Sequence, residues 1–423
     1  MLQRTRPLRD PVTIYLDDAK VRAERGEPLA VALLAAGKVT LARSPKLHRP
    51  RAPSCLRGAC DGCLARVDGV PNVMTCLRPA TGGEHIETQN VLGSRESDLL
   101  RLTDWFFPQG IDHHHLMAGI PGVSGVMQAF ARKLAGLGKL PDAKVPPREA
   151  RRAEVSVLVV GAGLAGHAVA STLASAGVDV LLADDAVAPG GSLSGAPRVA
   201  KGMEARYPLA RVKVASCSVV AGIYRGEALV AAEDGATVVR AKATVFATGT
   251  HDGVLAVPNN DLPGVMSARA LAQLAARGVF PKGRTAIVGD GFWADELTSL
   301  LPATPRGERP TRIPSADVVS FKGTSRVREV YVRDAKGGRS IPADVVATAV
   351  PGAPSFEVAA QAGADVRFDP ACGYAVACDE RGRAAPSVWA TGECTGAPFD
   401  PEAIAAQAER VAADVRAALA ETA

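Results

Sequence analysis

The sequence has 423 residues, 47% of them apolar and 22% charged, with a formal net charge of +5. That length favours two or three domains with a sizeable core, and basic residues interleaved with acidic ones argue against a dedicated nucleic-acid partner. No run approaches the roughly 18 uninterrupted apolar residues of a membrane span, and no apolar stretch of a secretory leader follows "MLQRTRPLRD". A cytoplasmic protein is expected, in a compartment where structural disulfides are rare.

In chain order, "VTIYLDD" alternates like a strand, and "PLAVALLAAG" reads as a short helix ending at Gly37. "LARVDGVPNVMTCL" reads as a hairpin turning at Asp68-Gly69. From Ser97 to Gly138 the pattern is helical, and "KLPDAKVPPREARR" is a proline- and charge-rich linker. At Val155 the texture changes to a buried strand, a glycine turn and a helix, followed by a second strand, "VDVLLADD". The strand "ATVFATG" precedes a second strand–glycine turn–helix unit, "TAIVGDGFWADEL". The chain closes with "SVWATGECTG" and an amphipathic helix, for which Asp400 is the expected N-cap and Pro401 the first helical residue.

Four of the eight cysteines fall between Ser54 and Cys76, spaced Cys55-x4-Cys60-x2-Cys63-x12-Cys76. Plant-type [2Fe–2S] sites use C-x4-C-x2-C with a distant fourth thiolate. Gly58 and Gly62 supply the small residues that such a loop needs where backbone passes close to the cluster. Zinc is the competing reading, but zinc sites more often pair two C-x2-C knuckles, and only one is present. The remaining cysteines, Cys217, Cys372, Cys378 and Cys394, lack ligand-like spacing and are expected to be small buried residues.

Gly161-x-Gly163-x-x-Gly166 follows a strand and opens a helix, the context that makes this motif a dinucleotide site. Gly161 permits the turn, Gly163 the approach of a pyrophosphate, and Gly166 close helix–strand packing. Asp184 and Asp185 close the next strand about 20 residues on, where a ribose hydroxyl acceptor belongs, and Asp185 is preferred. Gly190-Gly191, Thr248-Gly249 and Gly392-Glu393 are further turns of the kind that surrounds FAD, with the final helix aiming its dipole at the flavin. No cysteine pair accompanies either glycine turn, so electrons are expected to leave through the cluster rather than a dithiol.

Gly289-x-Gly291-x-x-Ala294 resembles a second nucleotide turn. "LPATPRGERPTRIP" after its helix reads as non-strand, no acidic residue closes a second strand, and only 55 residues separate Gly289 from Asp344. A βαβ unit takes roughly 30 or more residues, so a shortened domain is expected here and NAD(P) binding is doubtful. Three consecutive histidines, His113 to His115, do not face one another on a helix and are not expected to chelate. The basic residues Lys46, His48, Arg49 and Arg51 lie just before the cysteine loop, as a solvated face or a surface near a redox group.

"RSPKLHRPRAPSC", "LLRLTDWFFPQGIDHH", "DDAVAPGGSL", "ATGTHDGVLAVPNNDLPGVM" and "WATGECTG" together resemble the alpha subunit of heterotetrameric sarcosine oxidase. They also resemble its relatives in hydrogen cyanide synthase and in opine, proline and hydroxyproline dehydrogenases. The resemblance implies an FAD- and [2Fe–2S]-containing electron-transfer subunit that works beside a D-amino acid oxidase-like, amine-oxidising flavoprotein. Carried over by position, Gly161, Gly163, Gly166, Asp185, Gly191, Gly249 and Gly392 would touch FAD, and Cys55, Cys60, Cys63 and Cys76 would bind iron. The sequence departs from the family in having Glu393 where many relatives have Asp and in its shortened second nucleotide domain, and neither a folate-dependent C-terminal domain nor a second cysteine-rich module is expected.

The expected fold is α+β and α/β. A β-grasp ferredoxin-like domain spans 1–95, a helical segment and linker 96–150, and an FAD domain 151–282 and 350–423. The shortened NAD(P)-type domain lies between, at 283–349. The expected activity is oxidation of a small-molecule amine, imino acid or amino acid at CH–NH or CH–NH2. A stand-alone NAD(P)H-dependent reductase and a non-catalytic cofactor-binding scaffold are the competing readings.

Overall fold

Alternating burial along Pro11–Leu16 puts Val12, Ile14 and Leu16 inside and leaves Pro11 exposed, the period-2 pattern of a strand with one face on a core. This is a computed structural model, and it describes residues 1–44, 48–89, 91, 93–96, 98–99, 125, 149–302, 308–335 and 337–421. Nearly all of the helical segment expected at 96–150, with its three histidines, lies outside the described residues.

Pro11–Leu16 pairs antiparallel with Ala19–Glu24 and parallel with His85–Glu87, which in turn pairs with the hairpin Leu64–Val67/Val70–Met74. The hairpin turns at Asp68-Gly69, both left-handed (φ 49° and 79°), as a two-residue turn between right-twisted strands requires. Helix Leu29–Ala35 buries every residue from Leu29 to Leu34 against this five-stranded mixed sheet. The arrangement is the expected β-grasp.

The second unit is built on a sheet whose strands run in the order Lys213–Ala215, Val180–Ala183, Arg151–Val160, Gly235–Phe246, Glu227–Ala232 and Ser218–Tyr224. Val388–Ala390 returns to pair parallel with Gly235–Phe246, bringing "WATGEC" beside the first glycine turn. The neighbours of Arg151–Val160 are both parallel to it, in registers such as Val157↔Val180 and Val159↔Val245. Residues buried on both faces explain the near-continuous apolar run from Val155 to Val160. Helix Leu164–Ser175 packs between this sheet and the closing helix Pro401–Glu421. Asp400 caps the latter, its Oδ1 accepting the Ala403 N–H at 3.0 Å.

A separate parallel sheet runs Val265–Ser267, Val345–Ala349, Thr285–Gly289, Thr311–Ile313. It corrects two expectations. Thr311–Ile313, within the stretch read as non-strand, pairs with Ala286–Val288; three residues suffice for an edge strand, and the flanking prolines hide it from a periodicity test. The sheet's opposite edge, Val265–Ser267, precedes the expected boundary at 283, because the pairing is set by tertiary contact and not by the composition shift. The N-terminal strand Leu2–Arg4 pairs with Val279–Pro281, outside the ferredoxin-like sheet.

One buried apolar cluster runs from Leu16 and Leu33 through Leu56, Cys63 and Cys76 to Leu193, Leu271 and Ile287. The ferredoxin-like unit is therefore packed onto the rest through the loop that carries its cysteines.

Candidate functional site

The cysteine loop is held by close backbone contacts. A Cβ on Gly62 would lie 1.9 Å from the Ala52 carbonyl oxygen, so that position admits no side chain. Cys55, Cys63 and Cys76 are buried and Cys60 is half-buried. They are arranged as two pairs. The Sγ atoms of Cys63 and Cys76 are 3.4 Å apart, and Cys55 bonds Cys60. Within each pair the shared bond pushes one thiol, Cys55 or Cys76, above its ordinary range and draws the other, Cys60 or Cys63, below it. Among the described residues no three His, Cys, Asp or Glu side chains converge on one point. Two pairs fit two irons with two thiolates each better than they fit a single tetrahedral ion.

Of the other cysteines, Cys394 is buried as expected, with its Sγ 3.2 Å from the Thr391 carbonyl. Cys217 is exposed and Cys372 and Cys378 are half-buried, which corrects the expectation for those three.

The three glycines of the first turn stand in different surroundings. Gly161 has φ +98°, and a Cβ there would lie 2.4 Å from the Ala247 carbonyl. A Cβ on Gly166 would lie 1.8 Å from the Gly161 carbonyl, whereas one on Gly163 would meet nothing within 4 Å. The first and third glycines are thus needed for packing, and the middle one leaves open space at the helix N-terminus, where a pyrophosphate would sit. That space is a cavity of about 250 Å³ lined by Gly161, Gly163, Asp185, Gly191, Thr248, Gly249, Gly392 and Glu393. Gly166 and Gly190 do not line it; the Gly190 amide donates to the Ala162 carbonyl at 2.8 Å.

The two aspartates after the second strand have different jobs. Asp184 accepts the N–H groups of Ala162 at 2.6 Å and Ala186 at 2.9 Å, bracing the glycine turn. Asp185 reaches over the cavity mouth, its Oδ2 within 3.6 Å of where a Cβ on Gly58 would stand. Crowding by the surrounding protein, and then the charge of Asp184, push Asp185 up to about 6. An acceptor for a ribose hydroxyl is available there.

The cysteine loop lines the same cavity, through Leu56, Arg57, Gly58, Ala59 and Cys76. Sequence reasoning misses what joins the two. Arg57 Nη2 donates to the Thr250 carbonyl at 2.8 Å and to Asp252 Oδ1 at 2.7 Å. Asp252 Oδ2 accepts from Ser267 Oγ at 2.6 Å. Arg269 Nε stands 3.8 Å from Asp252, and both its terminal nitrogens bond the Glu393 carboxylate. Two guanidinium groups and two carboxylates thus alternate from the cysteine loop to Gly392-Glu393. The one available signal is the polar pattern "THDG", which also suits an ordinary turn.

Glu393 is correspondingly not a free carboxylate at the flavin position, because Arg269 and Thr250 take it. It stands where the first cavity meets a second one, of about 420 Å³, with Phe292, Trp293 and Phe399 on its wall. Gly291 belongs to this second cavity, so the structure does not bring the Gly289–Gly291 turn together with the first set. Gly289 repeats the geometry of Gly161, with φ +100° and a would-be Cβ 2.2 Å from the Ala349 carbonyl. Arg312, on the short edge strand, bonds Asp290 at 3.2 Å and Asp295 at 2.8 Å, placing two carboxylates beside this turn.

The family model described as "2Fe-2S iron-sulfur cluster binding domain" matches residues 9–91. The model described as "Pyridine nucleotide-disulphide oxidoreductase" matches residues 155–308. The chain is 30% identical over 372 residues to the sarcosine oxidase alpha subunit of Rhizobium meliloti, covering 79% of this chain and 37% of that protein. It is 32% identical over 171 residues to an opine oxidase subunit of Agrobacterium tumefaciens, covering 34% of each. The matches thus span about a third of each of these relatives. The L-proline dehydrogenase structure from P. horikoshii shares the fold, with a TM-score of 0.72 at 21% identity over 98% of this chain and 75% of that one. Among the described residues no helix is long and apolar enough to cross a membrane. The chain thus joins a [2Fe–2S] cluster-binding domain to a pyridine nucleotide-disulphide oxidoreductase domain, and is similar over most of its length to the alpha subunit of sarcosine oxidase.

Proposed function

We propose that this chain is the electron-transfer subunit of a dehydrogenase or oxidase that acts on CH–NH or CH–NH2 bonds of an amine, imino acid or amino acid. A separate amine-oxidising flavoprotein subunit is its partner. The observation that carries this reading is that the cysteine loop and the first glycine turn line one cavity, which suits transfer between two redox groups inside a single chain. When bound, FAD would accept electrons in pairs and release them singly, and the cluster would carry them one at a time.

The chain's own residues supply placement and charge. Cys55, Cys60, Cys63 and Cys76 hold the irons. Gly161, Gly163 and the amides at the start of helix Leu164–Ser175 receive the pyrophosphate, and Gly166 keeps that helix close to the sheet. Asp185 takes a ribose hydroxyl. Gly190-Gly191, Thr248-Gly249 and Gly392 let backbone approach the rest of the cofactor.

Protein purified without air, alone and co-expressed with a candidate partner, is assayed with amines and amino acids. The proposal expects bound flavin and about two irons per chain, turnover only with the partner, and no stoichiometric flavin bleaching by NADH. Rapid bleaching by NADH would instead favour a stand-alone NAD(P)H-dependent reductase, the reading supported by the Gly161-like geometry of Gly289. Substrate turnover by the isolated chain would exclude both an obligate partner and a purely scaffolding role.

A further inference from the structure

We infer that Arg57 is a positioning residue that holds the cysteine loop against the flavin cavity through Asp252, and that the two charges of this ion pair shift the reduction potential of the cluster in opposite directions. The inference rests on the functional reading above and deepens it.

Arg57 lies between Cys55 and Cys60, and its backbone N–H donates to Cys55 Sγ at 3.4 Å. Its side chain is only 19% exposed and that of Asp252 only 8%. The guanidinium lies within electrostatic range of Cys55, Asp252 and Glu393, and its charge partly opposes the burial that raises Asp184 and Asp185 across the cavity. Its Nε is buried without a hydrogen-bond partner, a cost that packing alone does not explain. One cation therefore faces the thiolates, the flavin cavity and the two carboxylates at once.

A second contact fixes the loop beside it. The Ser267 N–H donates to the Ser54 carbonyl at 2.8 Å, and Ser267 Oγ donates to the Asp252 carboxylate that Arg57 grips. The cluster loop is thus clamped on both sides of Cys55 by residues whose far ends bear on the flavin turn.

Each electron that reaches the cluster adds one negative charge there. A buried cation favours that state and a buried anion opposes it, with little screening. The two members of the pair therefore act in opposite senses, which a packing role does not predict.

The test is spectroelectrochemical titration of the cluster, read by low-temperature EPR, in air-free whole protein. Arg57→Gln should lower the one-electron potential and Asp252→Asn should raise it, each by about tenfold in the equilibrium, or ~59 mV. The double variant should return towards the wild-type value, and Arg57→Lys, which keeps the charge, should stay near it. If Arg57→Gln loses its cluster, the rise in Asp252→Asn and the constancy of Arg57→Lys carry the test. A potential that moves the same way in both single variants, or in neither, overturns the inference and leaves the functional reading standing. A wild-type chain with no reducible cluster overturns both.

Discussion

The Ser267 amide donates to the Ser54 carbonyl at 2.8 Å, joining the first turn of helix Ala268–Ala276 to the residue before Cys55. Ser267 is also the N-cap of that helix, its Oγ accepting the Ala270 N–H at 3.0 Å. One residue thus starts a helix of the second nucleotide unit, pins the cysteine loop and orients Asp252. Cluster loop and cavity are built together, and disturbing the contact is expected to be felt in both.

Ser267→Ala removes a cap worth ~1 kcal/mol and a hydrogen bond to a charged group worth about 1.5–3 kcal/mol. The two are not additive, so a loss of about 2–3 kcal/mol is expected in denaturant unfolding of the whole protein. The backbone bond to Ser54 survives the change, and the iron content should therefore hold. A loss below about 0.5 kcal/mol, the range of neutral surface changes, would show that neither hydrogen bond of the Ser267 hydroxyl contributes to stability.

Cys63→Ser and Cys76→Ser each break the buried pair whose sulfurs stand 3.4 Å apart. Each should abolish the visible absorption and EPR signal of the cluster while flavin is still bound, because the glycine turn is braced by Asp184 and by neither cysteine. Cys217→Ser changes an exposed cysteine outside the loop and should leave iron content unchanged. Iron and flavin assays on the three proteins side by side decide the matter. Retention of the full iron signal in Cys76→Ser would remove that residue from the ligand set.

Gly163→Ala and Gly166→Ala separate cofactor binding from folding. The new methyl at 163 meets nothing within 4 Å, whereas at 166 it would lie 1.8 Å from the Gly161 carbonyl. The first variant should keep its melting temperature without cofactor and bind FAD at least tenfold more weakly. The second should lose about 1–3 kcal/mol of stability or more, with or without FAD. Calorimetry of apo- and holoprotein distinguishes them, and equal destabilisation of the two apoproteins would contradict the division of roles.

Asp185 is expected to make FAD affinity depend on pH. Its surroundings raise its pKa from the ordinary 3.8 to about 6, so the folded protein holds this proton more tightly than the unfolded chain does. Its contribution to stability is therefore complete below its ordinary value and is lost as pH rises through about 6. Cofactor binding runs the other way, because a ribose hydroxyl donates best to the ionised carboxylate. Affinity should fall as pH drops below about 6, by no more than about tenfold per unit. Asp185→Asn should bind more weakly and flatten that dependence. Flavin-release fluorescence across the range reads it directly, and an unchanged slope in the variant would assign the titration to another group.

The parts legible in the string are those made by neighbours in sequence. The Asp68-Gly69 hairpin, the Asp400 cap and the close approach of Gly166 to Gly161 each depend on backbone angles and contacts within a few residues, so residue type and spacing determine them. The cysteine spacing belongs to the same class, since one loop carries three of the four thiols. Tertiary structure decided the rest. It gave Asp184 and Asp185 different partners: both line the cavity, but Asp184 also braces the turn. It recruited Val265–Ser267 and Thr311–Ile313 as edge strands of the second sheet. It also paired Arg57 with Asp252, 195 positions away. A lone arginine and a lone aspartate in a sequence look like solvated surface charges. Only the fold removes the water between them, and desolvation makes their mutual attraction matter.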